Sequence, residues 1–113
     1  MPGVSIHVVD VSRGVVAQGM RVELHRRDAL VASGEIGTSG LFEHPALKER
    51  FAAGAYQAVF HVADYYRKAG VPLPSHPFLD VVRYDFAVDQ PEQHYHLPFK
   101  CTPWGYSCFR GGA

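Results

Sequence analysis

Apolar and polar positions alternate along most of this chain with the period of two that a half-buried strand requires. Val4-Ser-Ile-His-Val-Val-Asp10 and Arg21-Val-Glu-Leu-His25 carry the pattern, with Ser12-Arg-Gly14 and Gln18-Gly19 as turn chemistry between them. Leu30 to Ile36 reads as a third strand, closed by Gly37-Thr-Ser-Gly40, and Leu41-Phe-Glu43 as a short fourth. Gly54 to Val62 is a long strand, another lies within Phe78 to Val88, and two short ones flank Thr102-Pro-Trp-Gly105. One segment departs from the alternation. Ala63-Asp-Tyr-Tyr-Arg-Lys-Ala-Gly70 has an acidic residue near its start, basic residues in its last turn and a glycine stop, which predicts a short helix. Pro72, Pro74 and Pro77 then force the chain to leave it extended. About eight short strands and one small helix predict an all-β fold, a β-sandwich.

Composition narrows the function classes. The chain's 113 residues fit one domain, residues 1–113, and 47% hydrophobic content is enough for a packed core without staples. Eleven basic and eleven acidic side chains cancel, so there is no basic stripe for nucleic acid. No apolar run approaches the ~20 residues that span a bilayer, so no membrane partner is expected. The first residues lack a secretory pattern and the last lack a peroxisomal address, which makes the cytoplasm the expected location. Cys101 and Cys108 are too few for a disulfide scaffold and read as small, partly buried apolar residues.

The residues able to do chemistry gather at the two ends of the sequence. His7 stands on the first strand, on the face opposite Ile6 and Val8. A histidine there is either a hydrogen-bonded structural residue or a catalytic one. His94 and His96, two apart on a strand-like run, project from one face. Such a pair suits metal chelation with a third ligand such as His7, general-base work near neutral pH, or no more than a solvated edge. Arg110 offers a rigid fork of donors for carbonyl or anionic oxygens. His25, His44, His61 and His76 sit in no motif and read as surface or structural residues.

The tail, His94-Tyr-His-Leu-Pro-Phe-Lys-Cys-Thr-Pro-Trp-Gly-Tyr-Ser-Cys-Phe-Arg-Gly-Gly-Ala113, closely resembles the C-terminal signature of 5-hydroxyisourate hydrolases, the enzymatic branch of the transthyretin-like family. Val4-Ser-Ile-His-Val-Val-Asp10 is similar to that family's Leu-Ser-x-His-Val-Leu-Asp motif. Gly54 to Lys68 and Pro77 to Val82 look like its central segments, so the similarity covers nearly the whole chain. The resemblance implies a transthyretin-like sandwich of two four-stranded sheets with one short helix after the fifth strand. It also implies catalytic roles for His7, His94 and Arg110, with His96, Leu41, Cys108 and Gly112 at the substrate. No metal or cofactor is expected on that reading. The expected partners are a small-molecule substrate and further copies of the chain, in a homotetramer whose sites lie in a channel between two dimers.

This chain departs from the family pattern at chemically important places. Phe109-Arg-Gly-Gly112 replaces Tyr-Arg-Gly-Ser, so two hydroxyls are lost, and Cys108 stands for a threonine. Phe99-Lys-Cys101 replaces a leucine run, and Ala113 is appended. Leu41 falls at or near the place of a substrate-facing arginine, and no arginine lies between Arg27 and Arg50. Losing such a donor costs on the order of a hundredfold in rate. The leading expectation is a ring-opening hydrolase of a cyclic amide, with 5-hydroxyisourate as substrate, in which His7 or His94 deprotonates water and Arg110 with tail N–H groups holds the oxyanion. The alternatives are a repurposed relative acting on a less polar ring by hydrolysis, cyclisation or proton transfer, a non-enzymatic binder of small molecules, and metal binding through His7, His94 and His96.

Overall fold

The computed structural model describes residues 2–112; Ala113, the appended residue, lies outside them. Eight strands form two four-stranded sheets. They are β1 (Gly3–Asp10), β2 (Val15–Val16), β3 (Arg21–Arg26), β4 (Ala29–Glu35), β5 (Gly54–His61), β6 (Val81–Val88), β7 (His94–Thr102) and β8 (Gly105–Cys108). One sheet has the order β2-β1-β7-β8 and the other β4-β3-β5-β6. All neighbours are antiparallel except β1 and β7, which run parallel, so the two ends of the sequence lie side by side. The helix, α1 (Val62–Lys68), follows β5 directly. None of the described helices is long and apolar enough to cross a membrane.

The alternation read from the sequence becomes the division between core and surface. Val4, Ile6 and Val8 of β1, and Tyr95, Leu97, Phe99 and Cys101 of β7, are buried on the inner face. Phe60 of β5 stacks on Phe99 across the sandwich at 3.8 Å between ring centroids. At the end of β1 the fully buried Asp10 accepts from Ser12 Oγ (2.7 Å), Arg13 Nε (2.8 Å), Tyr66 OH (2.7 Å) and Tyr65 OH (3.0 Å). These bonds tie α1 to the first sheet. Burial alone would raise the Asp10 pKa, but the donors of Arg13, Ser12, Tyr66 and Tyr65 outweigh it and hold the carboxyl below its ordinary range.

Three expectations about elements change. The strand expected at Leu41–Glu43 is reduced to isolated bridges, His7 with Leu41 and Ile36 with Phe42. The eighth strand is instead Val15–Val16, too short to show a period. The strand before Thr102 is not short: β7 runs for nine residues, through Pro98. Proline is tolerated inside a strand only where no ladder needs its N–H. Pro98 falls just before β8 pairing begins at Phe99 and after the bridge from His96 to Gly111.

Candidate active site

The outer face of the first sheet carries the histidines. Residues that pair across the β1–β7 ladder share a face, and the register sets Gly3 beside His94, Ser5 beside His96 and His7 beside Pro98. All three imidazoles therefore stand on the surface opposite the core. Ser5 Oγ lies 2.6 Å from His96 Nδ1 and 2.8 Å from His94 Nε2, so one hydroxyl joins the two rings. His94 Nδ1 faces the Pro2 carbonyl at 3.5 Å. His96 Nε2 has no hydrogen-bond partner among the described residues. Burial, with the neighbouring His7 and His94, lowers the His96 pKa below its ordinary value and favours the neutral ring.

His7 is held by the loop expected to close the third strand. Its Nε2 lies 3.1 Å from the Ser39 carbonyl, which only accepts, so the neutral ring carries its proton on Nε2 and leaves Nδ1 bare. Gly40, at φ +84°, makes this approach possible: a Cβ there would stand 2.6 Å from His7 Nε2. Beside His94 lies a groove of about 470 Å³ whose wall also includes Ser5, Leu41, Phe42, Leu47 and Lys48, while His7 and His96 stand on the same sheet face outside that lining. Leu41 is part of that wall, which is largely apolar around it.

The tail crosses back over β7. Gly111 donates its N–H to the His96 carbonyl at 2.8 Å, which brings the terminus against the histidine strand. Arg110 is ordered by that crossing, but it donates to Gln93 Oε1 (3.0 Å) and the His94 carbonyl (3.3 Å) rather than to an imidazole. Its guanidinium lies 4.0 Å from the centroid of the Tyr95 ring. Two expected site residues are not brought to the cluster. Cys108 pairs with Phe99 and so faces the core, where burial pushes its thiol up to about 11. Gly112 is exposed, with open space where a Cβ would be. Among the described residues no group of three or more His, Cys, Asp or Glu is arranged to hold a metal ion.

Sequence reasoning passed over Ser5, Ser39, Gly40 and Gly111. Ser5 carried a usable signal, since its odd position puts it on the face of His7. His44, read as surface or structural, does cap a 3-10 turn at Pro45–Lys48 by accepting from Ala46 N, and it also lines the groove.

The family model described as HIUase/Transthyretin matches residues 4–111. This chain belongs to the HIUase/transthyretin family. Within that family it is 40% identical over 119 residues to the 5-hydroxyisourate hydrolase of Deinococcus radiodurans, covering 97% of this chain and 96% of the relative. It is 36% identical over 110 residues to 5-hydroxyisourate hydrolase 2 of Rhizobium meliloti, covering 93% and 92%. The fold matches a 5-hydroxyisourate hydrolase structure from Klebsiella pneumoniae with a TM-score of 0.85 and 28% identity, over 99% of this chain and all of the other. A crystal structure of (S)-allantoin synthase matches with a TM-score of 0.89 and 32% identity, over 97% of this chain. The match spans only 43% of that longer chain. The transthyretin-like sandwich implied by the tail is therefore the fold of this family member.

Proposed function

We propose that this chain opens the ring of 5-hydroxyisourate by histidine-assisted attack of water on a ring carbonyl. The observation that carries the reading is the gathering of His7, His94 and His96 on one outer sheet face, with His94 and Ser5 on the wall of a groove, in a chain whose relatives are 5-hydroxyisourate hydrolases. A neutral imidazole with a bare nitrogen takes the proton of a water while the water oxygen bonds to the carbonyl carbon. The tetrahedral intermediate then collapses, the C–N bond breaks, and the imidazolium returns the proton to the leaving nitrogen. The product is a ring-opened carboxylic acid. The nitrogens suited to the first step are His96 Nε2 and His7 Nδ1, because both nitrogens of His94 already face partners. His94 then contributes through Ser5 rather than by touching the water.

The oxyanion needs a donor that Leu41 does not supply. Arg110 fits that role best in an assembly of four chains, with the tail of one copy beside the groove of another. Support comes from its position: within one chain its guanidinium rests on Tyr95 and β7 backbone. Lys48, on the groove wall, is a second source of positive charge. Two free thiols, one of them buried, suit the reducing cytoplasm.

Leu41 favours a second reading, action on a less polar ring in the same groove. The test is the decay of freshly generated 5-hydroxyisourate followed by its absorbance. Decay well above the spontaneous rate supports the first reading. Spontaneous decay alone, with turnover of a less polar cyclic amide, supports the second.

A further inference from the structure

Ser5 Oγ has one proton and lies between two ring nitrogens, at 2.6 Å from His96 Nδ1 and 2.8 Å from His94 Nε2. It can donate to one ring only and must accept from the other. The choice is made at the far side of His94, whose Nδ1 faces the carbonyl of Pro2. A carbonyl only accepts, so this 3.5 Å approach favours the neutral His94 tautomer with its proton on Nδ1 and its Nε2 bare. Ser5 therefore points its proton at His94, and its oxygen accepts from His96 Nδ1–H. His96 is left with a bare Nε2.

We infer that Ser5 is a positioning residue whose hydroxyl, oriented by His94 and Pro2, fixes His96 as the Nδ1–H tautomer with Nε2 free to take a proton. The inference rests on the hydrolase reading only for its effect on rate. Three features of the fold make it possible. The parallel ladder sets Ser5 directly beside His96. Gly3, the ladder partner of His94, has no side chain to separate that ring from Ser5. The lowered His96 pKa keeps the ring neutral, the form in which tautomers matter. Ser5 acts here as a third group orients a catalytic imidazole in other hydrolytic sites, except that the orienting group is itself oriented by a second histidine.

Long-range proton–nitrogen correlation spectra of the 15N-labelled protein report the tautomer of each ring without any substrate. The expected result is His96 protonated on Nδ1 in the wild type, a mixture of tautomers in Ser5→Ala, and recovery of the wild-type state in Ser5→Thr. In turnover, Ser5→Ala should lower kcat on the order of tenfold or more while leaving KM nearly unchanged, and Ser5→Thr should restore most of it. A wild-type His96 protonated on Nε2, or an unchanged tautomer in Ser5→Ala, would overturn the inference whatever the activity. Absence of turnover by the wild type would instead overturn the hydrolase reading and leave the spectra to decide the role of Ser5.

Discussion

Gly111 reaches His96 twice: its amide donates to the His96 carbonyl at 2.8 Å, and a Cβ on it would stand 2.9 Å from the His96 ring. The same Cβ would meet Pro98 Cγ at 3.0 Å. The tail can close over the histidine strand only because that position has no side chain. Gly111→Ala should therefore lift the tail while leaving the sandwich intact. Hydrogen exchange should show lost protection at residue 111, kcat/KM should fall by about tenfold or more, and global stability should change by less than about 1 kcal/mol. A fall in stability as large as that of a core substitution would contradict this division.

Leu41 bridges His7 and lines the groove, so its substitution tests the missing cation directly. Leu41→Arg places a guanidinium where developing negative charge would be stabilised. The expected outcome with 5-hydroxyisourate is a gain in kcat/KM of up to about a hundredfold. Steady-state kinetics of the variant checks it, and a loss of activity would mean that the apolar wall is itself matched to the substrate.

Much of the fold was legible from alternation alone, because β1 and β3 each bury one face and so expose the period in their sequences. Val15–Val16 was not legible, since two residues carry no period and pair only because β1 offers its edge. Parity put His94 and His96 on one face of their strand and His7 opposite Ile6 and Val8 on its own, but that the three share one sheet face did not follow from it. That sharing depends on the parallel pairing of the chain's two ends, a contact that no local pattern encodes. Cys108 was drawn toward the site by motif position and turned away by register, because pairing with Phe99 aims it at the core.

Asp10 holds the most concentrated polar cluster, fully buried with Ser12, Arg13, Tyr65 and Tyr66 as donors. Asp10→Asn should destabilise the protein by about 3 kcal/mol, because one acceptor oxygen becomes an NH2 donor set against the buried donors while the half-exposed Arg13 can turn to water. The pH dependence has a definite sign. A carboxyl whose folded pKa lies below its unfolded value near ~3.9 contributes stability that is present above that pH and lost as pH falls through the folded value. Glu23, whose pKa is lowered by hydrogen bonds from His61 and then His25, adds a loss of the same sign. Denaturant titrations at pH 7 and below 4 should give a flatter acid decline for Asp10→Asn than for the wild type.

With His96 as the base, its pKa governs the pH dependence of activity. Its pKa is lowered by burial first and by His7 and His94 second, so the base is neutral at and above the ordinary histidine value near ~6.5. The acid limb of kcat/KM should lie below that pH. An acid limb centred above it would contradict the assignment. Folding stability should move the same way, since the unfolded ring takes its proton first as pH falls.

The measurement that tests the central claim most directly is catalysed decay of 5-hydroxyisourate by the wild type and by His96→Asn, with folding of both checked by circular dichroism. Wild-type decay far above the spontaneous rate, falling on the order of a hundredfold or more in the variant, is the predicted result. Equal rates in the two folded proteins would contradict a catalytic surface built on this histidine face.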